Sequence, residues 1–199
     1  MKITDSRRLA AAIACILTLA LPTARAGDGW GVPQLMRRLA HNKSGEATFV
    51  EKNYLSVLDK PVVSSGDLSF VAPDRLEKRT LVPRPETMTL DGDSLTVTLP
   101  GKSPMTVSLR QHPDVAAFVE SIRGTLAGDL TGLQAFYTLK LAGSPGRWQL
   151  TLTPKQEQLA RLFDRIVIRG RRADIRSIDL EERDGDHSEM VITQSHIRR

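Results

Sequence analysis

Cysteine is almost absent from this sequence. The one thiol in 199 residues belongs to Cys15, which lies inside an apolar run near the N-terminus. If that run is removed during export, as the next features indicate, the remaining chain can form no internal disulfide. It can also hold no thiolate nucleophile and bind no metal through cysteine. An oxidising compartment would therefore be no hazard to it.

Aromatic residues and a strong excess of one charge are also lacking. Aromatic residues make up 5% of the sequence, and 28 basic against 23 acidic residues give a net charge of +5. Four of those basic residues and one acidic residue lie in the first 26 positions, so the rest of the chain is near +2. Nucleic-acid binders normally show a basic stripe with aromatic residues, so this class is disfavoured. The densest basic stretch, residues 169–176, is better explained as a solvated hairpin tip.

Motifs for catalysis and metal binding are missing as well. No histidine has the close His or carboxylate spacing of a helical zinc motif, and neither G-x-S-x-G nor a phosphate-binding G-x-x-x-x-G-K-[ST] occurs. The Asp-Gly-Asp runs at 91–93 and 184–186 do not continue into a calcium loop and are typical of hairpin turns. We therefore predict no enzyme, no catalytic residue, no cofactor and no metal. A Ser–His–Asp arrangement assembled from distant residues stays an alternative. The histidines are His41, His112, His187 and His196.

The first 26 residues have the order of a secretory signal peptide. A basic start that includes Lys2 is followed by an apolar run over residues 9–21, and Ala24 and Ala26 stand at the −3 and −1 positions of a cleavage site. The run is shorter than the roughly 20 residues that span a bilayer. We predict cleavage after Ala26 and export to the periplasm. Lipid modification of Cys15 is less favoured, because it would leave most of the export signal in place.

The remainder, residues 27–199, has the length of one domain with a real core. Its last residues, 195–199, are polar, and we expect them to be disordered. No internal linker or repeat divides the chain.

The hydrophobic pattern predicts a helix, a run of strands, a helical insert and more strands. Apolar residues spaced i, i+3, i+4 and i+7 between Val32 and Leu39 indicate the first helix. Short apolar runs separated by Pro and Gly turns follow up to Leu109, and they resume at Tyr137. The total is about eleven strands, with the insert after the sixth. Such a sheet should curl, so we predict a mainly β (α+β) fold: an incomplete, strongly curved antiparallel barrel with an N-terminal helix and a helical lid.

One face of this sheet is apolar. Leu95, Val97 and Leu99 alternate with polar residues, and the insert from Val115 to Leu126 has an apolar face that could lie across the sheet. A ligand cavity and a sealed core show the same one-sided alternation. The pattern by itself favours the sealed core.

The order of features resembles the LolA family of periplasmic lipoprotein carriers. Residues 47–51 are similar to the family's "A-x-F-x-Q" strand, with Glu51 in place of the usual Gln. Residues 66–76 are similar to the family's "G-x-[LF]-x-[FV]-x-[KR]-P-x-[RK]-[LF]" stretch. The "DG" hairpin and the "L-x-P" strand end resemble residues 91–95 and 150–154, so the likeness spans most of residues 30–194. Two further departures occur: Ala72 replaces the basic residue before the motif proline, and Lys78 replaces an aromatic residue. They indicate a divergent LolA-like protein.

The resemblance implies a half-barrel with a helical lid over an apolar cavity. The implied function is to shield the acyl chains of a lipoprotein or lipid between an inner-membrane donor and an outer-membrane acceptor, as a monomer. Cargo could instead be another acylated product or a glycolipid. An envelope-sensing interaction module and a hydrolase of acylated substrates are the competing classes. The lipid-binding residues that we predict are Leu68, Phe70, Leu76, Leu95, Val97, Phe118, Ile122 and Leu126.

Overall fold

The computed structural model describes residues 29–195. The predicted signal peptide with Cys15 lies outside the described residues, and so does the predicted disordered tail apart from Ser195.

The predicted order of elements is confirmed: an N-terminal helix, six strands, a helical insert and five more strands. A short 3-10 helix at Leu109–Gln111 leads into the insert. Of the helices in residues 29–195, none is long and apolar enough to cross a membrane. The elements are α1 (Val32–Leu39), β1 (Ser44–Tyr54), β2 (Val62–Val71), β3 (Arg75–Val82), β4 (Glu86–Asp91), β5 (Ser94–Thr98), β6 (Met105–Ser108), α2 (Pro113–Ala127), α3 (Leu130–Phe136), β7 (Tyr137–Ser144), β8 (Arg147–Pro154), α4 (Glu157–Ala160), β9 (Phe163–Arg171), β10 (Asp174–Glu182) and β11 (His187–Gln194).

All eleven strands form one open antiparallel sheet in the order β6-β5-β4-β3-β2-β1-β11-β10-β9-β8-β7. Neighbours in this order are also neighbours in sequence, except that β1 pairs with β11 over eight residue pairs. The two ends of the domain therefore meet in the middle of the sheet, and β6 and β7 are its free edges. The fold is mainly β and is not closed into a barrel, as the sequence predicts.

The centre of the wing formed by β7–β11 is closely packed. Its inner side chains include Leu150, Leu152, Ile166 and Ile168, all 0% exposed. Helices α1 and α3 supply the opposite layer of this core. Their buried side chains are Leu35, Met36, Leu39 and Leu133. At 25–30 cal/mol per Å² of buried apolar surface, this covered wing supplies most of the hydrophobic stabilisation.

Helix α2 packs through a face of small residues. Ala117, Ser121 and Thr125 on that face are completely buried, and the Tyr137 hydroxyl donates to the Ala117 carbonyl at 2.8 Å. Gly128 ends the helix in the left-handed region, with φ 69°. A Cβ there would stand 2.3 Å from the Met36 carbonyl oxygen of α1. Glycine at this position therefore permits close contact between α2 and α1.

Candidate functional site

The inner face of β2–β5 is less completely covered than the inner face of β8 and β9. Two rows of side chains run across it, as the strand register defines. In the first row Phe70 and Leu90 are 6% and 4% exposed, whereas Leu76 and Leu95 are only half-buried. Apart from Lys78, the second row is apolar and half-buried. Its members are Leu68, Lys78, Met88 and Val97.

Helix α2 connects the two wings of the sheet. Arg123 Nη1 donates to the Gly92 carbonyl in the β4–β5 turn at 2.9 Å, and the Phe118 ring meets the Phe163 ring of β9 edge-on at 6.3 Å. Strands β4 and β9 lie on opposite sides of the central β1–β11 pair. Because one helix contacts both, the sheet must curve around it. The predicted lid therefore lies on the concave face.

The structure brings the five predicted strand residues onto one face: Leu68, Phe70, Leu76, Leu95 and Val97. The three predicted residues of α2 differ in their surroundings. Phe118 is 37% exposed and Ile122 is half-buried, while Leu126 packs against the covered core. Leu68 also packs against that core. Lipid binding by any of these residues remains a prediction.

An ion pair on the concave face was not anticipated. Lys78 Nζ lies 2.6 Å from a Glu51 carboxylate oxygen, with side-chain exposures of 28% and 14%. The Ser64 hydroxyl donates to the same oxygen at 3.2 Å, and Lys78 Nζ stands 5.0 Å from the centre of the Phe49 ring. The two charged partners are positions where the sequence departs from the family pattern. Those departures were the signal, but only the folded register brings them together.

Position 66, in the row beside this pair, requires glycine. Gly66 is opposite Phe49 on one side and Thr80 on the other, in the row between Lys78 and Glu51. A Cβ at Gly66 would stand 1.9 Å from the Arg79 carbonyl oxygen, so only glycine fits there.

The polar patch extends towards the β3–β4 turn. Thr80 and Glu86 are paired across the strands, on the same face as Lys78, and both are half-buried. We define the polar patch as Glu51, Ser64, Lys78, Thr80 and Glu86. It holds two carboxylates and one ammonium group, beside the apolar rows.

Two open depressions lie elsewhere, between α1 and the β7–β8 and β9–β10 turns. They have volumes of about 430 and 400 Å³ and share Arg38, His41 and Pro145 as lining residues. Both are open to solvent and bordered by basic side chains, so they do not suit an acyl chain. Among residues 29–195, no three His, Cys, Asp or Glu side chains are arranged to hold a metal.

The basic stretch 169–176 is a hairpin tip, as the sequence predicts. Strand β9 ends at Arg171 and β10 begins at Asp174. Arg169 is paired with Asp179, and Arg176 with Asp174 at 3.0 Å. The charges of these two arginines are thus balanced within the sheet.

The sequence model described as "Outer membrane lipoprotein carrier protein LolA-like" matches residues 24–196. No curated protein matches the chain. Among solved structures, a LolA superfamily protein of Nitrosomonas europaea has a TM-score of 0.45 and 11% identity, over 83% of this chain and 92% of that chain.

Two further structures are similar. A putative outer membrane lipoprotein-sorting protein domain from Vibrio parahaemolyticus has a TM-score of 0.43 and 10% identity, over 84% of this chain and 92% of that one. The MucA/MucB complex of Pseudomonas aeruginosa has a TM-score of 0.45 and 16% identity, over 82% of this chain. The match covers only 56% of the chain in that complex. The family assignment rests on the sequence match.

Proposed function

The chain belongs to the LolA-like family of outer membrane lipoprotein carriers, and from this premise we propose that it is a periplasmic carrier of acylated cargo. It shields the acyl chains of a lipoprotein or lipid on its concave face during transfer from the inner to the outer membrane. The predicted signal peptide, with cleavage after Ala26, supports the compartment. A monomer that meets a membrane donor and then an acceptor suffices for this task.

The observation that carries the proposal is the contrast between the two wings of one sheet. Inner side chains of β8 and β9 such as Leu150 and Ile166 are 0% exposed, whereas Leu76, Leu95 and Val97 on the opposite wing are half-buried. A sealed core would leave neither wing accessible. Each CH₂ of cargo buried on the open wing contributes about 0.8 kcal/mol. An acyl chain can therefore bind reversibly without a covalent bond.

The cargo need not be a lipoprotein. Ala72 stands where the family usually has a basic residue, and Lys78 where an aromatic residue is common. These departures favour a second reading of the same site, in which the cargo is another acylated product or a glycolipid. An envelope-sensing module would use the surface differently, because it would not need to retain lipid.

Native mass spectrometry tests the proposal. The protein purified from the periplasm, without detergent, should retain lipid at about one molecule per chain, and its N-terminus should begin at or next to Gly27. Leu95→Asp should lose the retained lipid, whereas Thr96→Asp, on the opposite face of the same strand, should keep it. Lipid-free wild-type protein that also fails to take up added lysolipid would refute the carrier function.

A further inference from the structure

The polar patch is an unusual feature for a surface that has only acyl chains to bind. Lys78 lies in a row with Leu68, Met88 and Val97. Only 28% of the Lys78 side chain is exposed to water. Removing two charges from water costs free energy that their attraction often does not offset, and apolar replacements are frequently as stable. A core alone therefore gains little from this pair.

The patch has a defined position relative to the apolar rows. The row of Phe70, Leu76 and Leu90 lies at one end of β2, β3 and β4. Towards the other end of these strands, and of β1 beside them, the residues on the same face become polar. Acyl chains on the apolar rows would therefore place the first polar atoms of an amphiphile beside Glu51 and Lys78. The concave face is amphipathic along the strands.

The groups present select the chemistry of that polar part. Lys78 supplies ammonium hydrogens, Glu51 and Glu86 supply acceptor oxygens, and the hydroxyls of Ser64 and Thr80 can do both. Formal charges sum to one negative charge, so a phosphate or carboxylate would meet net repulsion. A hydroxyl or amide group can donate to a carboxylate and accept from the ammonium group at the same time.

We propose that the polar patch binds an uncharged, hydrogen-bonding head group, and that the carrier discriminates against anionic lipids. This inference rests on the proposed function, since it assigns the head-group chemistry of the same cargo. Glu51 and Lys78 are the residues that determine specificity. Their mutual ion pair keeps both groups satisfied when cargo is absent.

The test compares three amphiphiles that share a saturated chain of the same length: 1-lauroylglycerol, lauroyl lysophosphatidic acid and dodecyltrimethylammonium. Each displaces a fluorescent fatty-acid probe from delipidated protein, below its micelle concentration. Wild type should bind the glycerol ester about tenfold more tightly than the phosphate, because like charges in an interface repel. It should also bind the glycerol ester more tightly than the ammonium compound, because a quaternary ammonium group can neither donate nor accept a hydrogen bond in the patch.

Glu51→Gln supplies the decisive variant. Losing this carboxylate leaves Lys78 without its ionic partner, so affinity for lauroyl lysophosphatidic acid should rise about tenfold and the preference should shrink or reverse. Glu189→Gln is the matched control, since Glu189 lies on the opposite face, across from Lys52. It should bind all three as wild type does.

The outcomes separate the two proposals. Wild-type protein that displaces the probe equally with all three amphiphiles, or prefers a charged one, overturns the head-group inference but leaves the carrier intact. Protein that binds none of them refutes the carrier itself. An identical shift in both Glu variants would mean that overall charge, rather than the polar patch, sets the preference.

Discussion

A charge placed on the open wing should impair cargo binding far more than folding. Val97 lies on β5, opposite Met88 and Met105, and is half-buried. Full burial of a valine contributes about 1.5–3 kcal/mol, so removing a half-buried one costs about 1 kcal/mol. The new carboxylate of Val97→Glu can stay hydrated in the cargo-free protein. We expect the free energy of unfolding to fall by about 1–2 kcal/mol, with the fold retained.

The effect on binding should be larger. A hydrated carboxylate would keep about three methylene groups of a chain from contact with this face, and at about 0.8 kcal/mol each the loss is about 2.4 kcal/mol. That energy corresponds to a roughly fiftyfold larger dissociation constant. Displacement of the fatty-acid probe by 1-lauroylglycerol measures it.

The matched control is the same substitution on the packed wing. Leu152 is 0% exposed on β8. Leu152→Glu removes a buried leucine and buries a charge, which together should cost at least about 5 kcal/mol. This approaches the total stability of an ordinary domain. Urea denaturation of the delipidated proteins compares the two variants. If Val97→Glu unfolds as readily as Leu152→Glu, or binds lipid as wild type does, the distinction between the wings is wrong.

Three further predictions concern packing and the lid. Burial raises the pKa of Tyr137, so the folded protein keeps a proton that the unfolded chain releases above about pH 10, and stability should fall with rising pH there; Tyr137→Phe should flatten that fall in urea titrations at pH 9 to 11. Gly66→Ala should cost about 2 kcal/mol or more by urea denaturation, because its Cβ would clash with a carbonyl of β3, whereas at Gly45, with nothing within 4 Å, alanine should be tolerated. Arg123→Ala releases α2 from the β4–β5 turn and should speed amide exchange of residues 115–126 about tenfold, while Arg161→Ala, which removes an exposed pair of α4, should leave that exchange unchanged.

Local periodicity was sufficient for the elements and their faces. The alternation around Leu95 and Val97 predicts a strand with one apolar face, and in the structure both side chains lie on the concave face. The spacing of Leu35, Met36 and Leu39 predicts a helix face that proves to be buried. Both signals come from residues a few positions apart, where backbone geometry alone relates side chains.

Local periodicity could not predict contacts between residues that are far apart in the sequence. Glu51 and Lys78 meet only because β1, β2 and β3 are adjacent in a particular register. A shift of one residue in that register would turn Lys78 to the other face. The close approach of Gly128 to α1 could not be predicted either. It depends on how the two helices pack and not on the residues next to Gly128 in the sequence.

In the proposed carrier, the two wings divide stability and binding between different residues of one sheet. The packed wing holds its side chains against α1 and α3 whether or not cargo is present, so the empty carrier can stay folded between deliveries. The open wing contributes less to stability, and for that reason it can accommodate the ion pair of Glu51 and Lys78, which a sealed core would have to bury completely. Helix α2 belongs to both, because Ala117 lies in the packed core while Arg123 is tied to the β4–β5 turn. Detaching the whole helix would expose that core, so cargo should enter by release of the Arg123 side chain from the β4–β5 turn, with the buried face of α2 held in place.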